Sequence, residues 1–324
     1  LKAEPPASPG VPAARGGPVV PSGGWDVAAL LAWFEPHGRR HLPWREEPTP
    51  YRVIVSEFML QQTQVERVLP IFERFVAAFP SFEALAGAPQ ADVVRAWRGL
   101  GYNSRALRLH QLALAVCDRF GGELPREEAA LLALPGIGPY TARAVLAFAF
   151  NQSVAALDTN VRRIVHRTHF GLEFPPVAGE RALDAVASAA VPAGRGSDFN
   201  SALMDLGSSI CGARIAKCLV CPLRPECAAA PVDAAGLAAR ARRHPPRRTP
   251  QERLPFEATT RFVRGRILDR LRALAPGEAI SALALETELA TLLAAHPSGA
   301  VGRAVDALEH EGLVQRLDER VRLR

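Results

Sequence analysis

The stretch Leu134-Pro-Gly-Ile-Gly-Pro-Tyr-Thr-Ala142 places a Gly-x-Gly turn between two helical patterns. Glycine lets the backbone bend so that successive N–H groups point outward at the start of the next helix. The partial positive charge of that helix end then adds to them. Gly136 and Gly138 are therefore candidates for gripping a phosphate, although glycine-rich helix connections are common and fix no chemistry alone.

On either side of this turn the chain reads as helices. Val27, Leu30, Leu31 and Phe34 share one face, and comparable faces recur over 53–65, 93–100, 106–117, 142–150 and 182–191. Pro50, Pro80, Gly99–Gly101 and Pro125 mark the joints. Strand alternation is nearly absent, so the region is expected to be all-α. Residues 1–24, rich in Pro, Gly and Ala, read as a disordered tail, and 231–254 as a basic linker holding Arg240, Arg242, Arg243, Arg247, Arg248 and Arg253. Residues 255–324 read as a small separate α+β module. Helical faces over 262–274 and 300–308 are followed by an alternating hairpin around an Asp-Glu turn, a winged-helix-like order.

Three constellations carry chemistry. Cys211, Cys218, Cys221 and Cys227 have the spacing C-x6-C-x2-C-x5-C. Four crowded thiols in a chain of 324 residues suggest a soft metal rather than disulfides, and spacing leaves zinc and an iron–sulfur cluster both open. The fifth, Cys117, lies on an apolar helical face and reads as core. Arg214 and Lys217 sit between the ligands, where a metal-pinned loop would present them to a phosphate backbone. Glu57, in Val53-Ile-Val-Ser-Glu-Phe-Met-Leu-Gln-Gln-Thr-Gln-Val65, stands among apolar residues. Burial there would raise its pKa and keep a proton available near neutrality. Asp158, in Ala156-Leu-Asp-Thr-Asn-Val-Arg162, has a plain alternative role as the N-cap of a helix.

With 48% hydrophobic and 22% charged residues the composition is that of a globular protein, and a net charge of +6 weakly favours a polyanionic partner. The longest strongly apolar stretch, Ala144 to Phe150, is too short for a bilayer. Lys2 is followed by Pro, Gly and Ala, which makes no signal peptide, so a cytosolic protein is expected.

Together these residues resemble the helix-hairpin-helix DNA glycosylases of the endonuclease III superfamily, most of all the MutY-type adenine glycosylases. The resemblance covers about residues 25–230 and rests on Leu42-Pro-Trp-Arg45, Ser56-Glu57, Met59-Leu-Gln-Gln-Thr-Gln-Val65, Gly101-Tyr102, Leu134-Pro-Gly-Ile-Gly138, Asp158-Thr-Asn-Val161 and the four-cysteine loop at 211–227. It implies a two-lobed fold and a [4Fe-4S] cluster on the four cysteines. It also implies a monomeric enzyme of base excision repair, cytoplasmic and nucleoid-associated in a bacterium, with no membrane partner. The substrate would be double-stranded DNA with a mismatched or damaged pair, adenine opposite G or 8-oxoguanine foremost. Glu57 would protonate the leaving base and Asp158 would stabilise the oxocarbenium-like sugar. Asn160 and Arg45 would organise the pocket; Gln62, Gly101 and Tyr102 would enter the duplex and help extrude the base.

Tyr140 departs from endonuclease III, where the matching lysine attacks the sugar through a Schiff base. A phenol cannot do so, and base release by water with no strand cleavage is expected. Thymine and uracil mismatch glycosylases share this tyrosine and form a second reading; a binding protein that has lost catalysis forms a third. Residues 255–324 are too short and too helical for the Nudix-like domain that senses 8-oxoguanine in long MutY-type proteins.

Overall fold

The computed structural model describes residues 24–174, 177–243 and 254–324. The tail expected over 1–24, apart from Gly24, lies outside the described residues, as do Arg247, Arg248 and Arg253 of the expected linker. The chain runs α1 (Val27–His37), α2 (Pro43–Glu46), α3 (Pro50–Leu60), α4 (Val65–Ala78), α5 (Phe82–Gly87), α6 (Gln90–Ala96), α7 (Ser104–Phe120), α8 (Glu128–Leu132), α9 (Pro139–Phe148), α10 (Thr159–Phe170), α11 (Glu180–Ala190) and α12 (Gly196–Ser209). After the cysteine loop come α13 (Ala234–Arg243), α14 (Thr260–Arg272), β1 (Ile280–Ser281), α15 (Ala282–Leu289), α16 (Ala300–His310), β2 (Val314–Leu317) and β3 (Arg320–Leu323).

Two helical lobes follow from two apolar cores. The first gathers side chains of α2–α9, with Ile54, Phe58, Phe72, Phe75 and Trp97 almost fully buried. Its helix α4 shows why: Val68, Ile71, Phe72 and Phe75 recur at the spacing of one helical face. The second core joins α1 to α10–α12, so the start of the described chain packs beside its later part. Trp25 fixes this closure by donating its indole N–H to Thr168 Oγ1 at 2.8 Å. Cys117 is half-buried against the first core.

The helix expected to run over 53–65 is broken. It stops at Leu60, and Gln61–Gln64 turn the chain into α4, with Gln62 at φ +56°. The segment 231–254, read as a linker, contains helix α13. Arg240 in it pairs with Glu173 at 3.3 Å, and the Arg243 guanidinium lies 4.9 Å from the Phe174 ring centroid. Packing thus uses part of the basic charge that the composition offered to phosphates.

The C-terminal residues form a three-stranded antiparallel sheet in the order β1-β3-β2, with Val314 opposite Leu323 and Ile280 opposite Val321. Asp318, at φ +53°, makes the turn of the β2–β3 hairpin. The order α14-β1-α15-α16-β2-β3 is that of a winged-helix module. Its core takes in Val94 and Leu107 from the first lobe, so the module is docked rather than tethered. No helix among the described residues is long and apolar enough to cross a membrane.

Candidate active site

A cleft of about 840 Å³ is lined by Arg45, Glu57, Gln62, Tyr140, Asp158 and Asn160, together with apolar residues such as Trp44, Leu157 and Met204. Side chains from α2, α3, α9 and α10 thus converge from both lobes. Pro50 starts α3 with its φ already helical, and Thr49 Oγ1 caps the helix by accepting from the Arg52 amide at 3.3 Å. The helix then carries Glu57 inward between Ser56 and Phe58, all three buried. Burial raises the Glu57 carboxyl from its ordinary 4.5 to about 7. A hydrogen bond with Tyr140 and the charge of Arg45 pull it down, while the charge of Asp158 pushes it up. Burial likewise pushes the Tyr140 phenol well above its usual range, aided by the charges of Glu57 and Asp158.

Asp158 is the N-cap of α10, accepting at Oδ1 from the Val161 amide at 2.6 Å. Its Oδ2 accepts from Asn160 Nδ2 at 3.1 Å. Asn160 is held in turn by Arg163, whose Nη2 donates to Asn160 Oδ1 at 2.8 Å and to the Gly207 carbonyl at 2.7 Å. The cleft therefore joins a carboxyl that holds its proton near neutrality to a second carboxyl fixed from two sides. Such a pair can deliver a proton to a leaving group and stabilise positive charge beside it.

Arg45 reaches this site through a residue that sequence reading missed. Asp205, with a side chain 3% exposed, pairs with Arg45 at 2.8 Å and Arg39 at 2.6 Å. Burial alone would raise the Asp205 carboxyl, but hydrogen bonds and charge from Arg45 and Arg39 hold it below the usual range. Nothing in the local pattern Met204-Asp-Leu206 signals a partner 160 residues away.

Gly101, Tyr102, Gly136 and Gly138 lie outside the walls of the cleft, as do Arg214 and Lys217, both exposed. Gly136 has φ +77°, and an added Cβ would come within 3.0 Å of Phe58 Cζ, so the turn requires glycine there. Gly138 is at φ −102° with open space where a Cβ would stand; its part is to be the backbone N-cap of α9, ahead of Pro139. Arg105, also missed in the sequence, is the buried link between two turns. It donates to the carbonyls of Phe58, Met59 and Gln61 on one side and of Leu100 and Gly101 on the other.

Cys211, Cys218, Cys221 and Cys227 line one cavity together with Arg167. Among the described residues no group of three or more His, Cys, Asp or Glu side chains is placed to hold a single metal ion. Arg167 is 1% exposed in its side chain; Nη1 donates to the Gly212 carbonyl at 2.9 Å and approaches Cys211 Sγ at 3.5 Å, while Nη2 is buried without a partner. A four-thiol cavity edged by a guanidinium that pairs with Glu173 through Nε at 3.1 Å and keeps Nη2 unpartnered suits an anionic, sulfur-bound group. The cavity is tied to the cleft through α10, because Arg163 Nε donates to the Cys211 carbonyl at 2.7 Å.

The model of the HhH-GPD superfamily base excision DNA repair proteins matches residues 55–184. The adenine DNA glycosylase of Mycolicibacterium smegmatis is 43% identical over 246 residues, 75% of this chain and 79% of that protein. The thymine/uracil-DNA glycosylase of Methanothermobacter thermautotrophicus is 34% identical over 203 residues, 62% of this chain and 91% of that one. Among solved structures, a thermostable thymine-DNA glycosylase superposes with a TM-score of 0.58 at 33% identity, covering 62% of this chain and 93% of that one. A non-covalent endonuclease III–DNA complex superposes with a TM-score of 0.54 at 22% identity, over 67% and 95%, a likeness of fold.

Proposed function

The chain belongs to the HhH-GPD superfamily of base excision DNA repair proteins, and from that premise we propose how it excises its base. It is an adenine DNA glycosylase acting on DNA. Our reading is that it hydrolyses the N-glycosidic bond of adenine mispaired with G or 8-oxoguanine and leaves the strand intact. The observation that carries this is the convergence of buried Glu57 with Tyr140 and Asp158 on one cleft.

Glu57, protonated near neutrality, donates its proton to a ring nitrogen of the extruded adenine, which departs as a neutral base. Asp158 faces the sugar and stabilises the cationic transition state while Asn160 holds the carboxylate in place. Water then bonds to the sugar carbon and gives up a proton to the Glu57 carboxylate, which restores the acid and leaves a hydroxyl where the base was. Tyr140 has no amine, so no Schiff base forms and the sugar stays attached at both phosphates. Gln62 and Tyr102, each in a left-handed backbone turn and exposed, enter the duplex, and Gly136, Gly138, Arg214 and Lys217 hold the phosphate backbone.

We assign a [4Fe-4S] cluster to Cys211, Cys218, Cys221 and Cys227; when bound it would pin the loop that carries Arg214 and Lys217. Duplexes bearing A:8-oxoguanine, A:G, T:G and U:G, incubated with the protein and then treated with alkali, test the reading. Breaks at adenine support it, and breaks at T or U alone would replace it with the mismatch-pyrimidine reading suggested by the thymine-directed relatives.

A further inference from the structure

Tyr102 is the meeting point of the glycosylase lobe and the C-terminal module. It stands between α6 and α7, 46% exposed, with its backbone in the left-handed region at φ +44°. That conformation disfavours a bulky side chain, so surrounding structure must hold it. The guanidinium of Arg105 lies 5.5 Å from the Tyr102 ring centroid. The guanidinium of Arg261, in the first turn of α14, lies at the same 5.5 Å and donates from Nη1 to Tyr102 Oη at 3.4 Å. Arg105 is buried in the lobe; Arg261 is exposed and belongs to the module.

The module is fastened around the same loop. Arg272, with a side chain only 6% exposed, donates from Nε to the Val94 carbonyl at 3.1 Å and from Nη2 to Asn103 Oδ1 at 2.7 Å. Gln90 Nε2 donates to the Gly312 carbonyl at 2.7 Å. Val94 on α6 and Leu107 on α7 both enter the module core. The helices on both sides of Tyr102 are thus built into the interface. Among the described residues Arg261 makes no ion pair, and its guanidinium engages the tyrosine by ring and hydroxyl.

We propose that the C-terminal module is a working part of the duplex-opening apparatus, with Arg261 as a positioning residue that orients the Tyr102 ring for insertion beside the target pair. This rests on the reading of Tyr102 as a side chain that enters DNA. A ring held in place beforehand loses less rotational freedom on insertion, so opening of the pair becomes easier while binding of unopened duplex changes little. The module would then contribute to base extrusion through a protein–protein contact, in a chain whose C-terminal residues form a winged helix.

The test uses the full chain with R261A, R261K, Y102A and the R261A/Y102A double variant. The substrate is a duplex with adenine opposite 8-oxoguanine; a parallel duplex carries 2-aminopurine in place of the adenine, whose fluorescence rises on unstacking. Arg261 is exposed, so R261A should melt with the wild type. It is expected to slow single-turnover excision about threefold and to lower the fluorescence rise, as loss of one exposed cation–π contact implies. R261K should recover most of the loss, and R261A should add nothing in the Y102A background. An R261A variant equal to wild type, or an equal loss in both backgrounds, would overturn the proposal, the latter by showing that Arg261 acts on DNA directly. Unstacking is read without excision. Wild-type protein that unstacks the probe yet releases no adenine would therefore count against the functional reading and leave the Arg261 comparison intact.

Discussion

Asp158 binds the Val161 amide at 2.6 Å through one carboxylate oxygen and Asn160 Nδ2 at 3.1 Å through the other. The bland role of helix cap and the proposed role in chemistry therefore fall on one side chain. Substitution can separate them. Asparagine caps a helix about as well as aspartate, whereas alanine loses about 1 kcal/mol of capping. D158N should keep the melting temperature and duplex binding while losing excision; D158A should lose excision and melt several degrees lower. Excision that survives in D158N would remove Asp158 from the mechanism.

Glu57 sets the pH dependence. Its carboxyl is raised by burial to about 7, so the protonated fraction of the free enzyme falls as pH rises through that value. kcat/KM for excision should decline above pH 7, approaching tenfold per unit, and a flat profile to pH 9 would contradict the assignment. Folding raises this carboxyl above its unfolded value, so the native state holds a proton that the unfolded state releases between about pH 4.5 and 7. Stability from this group is lost as pH rises across that window. E57Q should flatten the slope while abolishing proton donation.

Tyr140 tunes that acid. Its hydrogen bond to Glu57 favours the carboxylate and pulls the Glu57 pKa down. Y140F removes the bond, so the alkaline limb of the rate profile should move to higher pH, and a downward shift would contradict the geometry. Borohydride added during turnover should trap no covalent complex of the wild-type protein with DNA, because no lysine stands at this position.

The cysteine cavity and the cleft share helix α10, which starts at Asp158 and sends Arg163 to the Cys211 carbonyl. C221A should lose iron and the visible absorbance of a cluster. Its duplex binding should become less salt-dependent by about two counterions if Arg214 and Lys217 no longer meet phosphates. An unchanged salt slope would leave those cations as ordinary solvated charge.

Periodicity marked α1, α3, α6, α7, α9, α11, α14 and α16, whose buried faces are made of apolar repeats such as Leu30, Leu31 and Phe34, and left others such as α4 and α12 unmarked. It failed at Gln61–Gln64, where no glycine or proline announces the turn and the break is held from a distance by Arg105. It also passed over β1, whose two residues are too few to alternate, and α13, whose arginines suggested a linker. Glu57 and Asp158 stood out through their neighbours in sequence. Asp205, Arg105 and Arg163 did not, since each acts on backbone or charge brought near only by folding. The contact of the C-terminal module with Tyr102 was equally hidden, because Arg261 and Tyr102 stand 159 residues apart.

Hydrolysis of the adenine glycosidic bond by Glu57 and Asp158 without strand cleavage is the proposed reaction of the cleft. Its most direct measurement is a single-turnover assay on a duplex with radiolabelled adenine opposite 8-oxoguanine, following free adenine and strand length together at pH 7 and at pH 9. Adenine should appear while the strand stays full-length until alkali is added, faster at pH 7, and in neither D158N nor E57Q. Strand breaks that keep pace with base release in the absence of alkali, or adenine released by D158N, would contradict it.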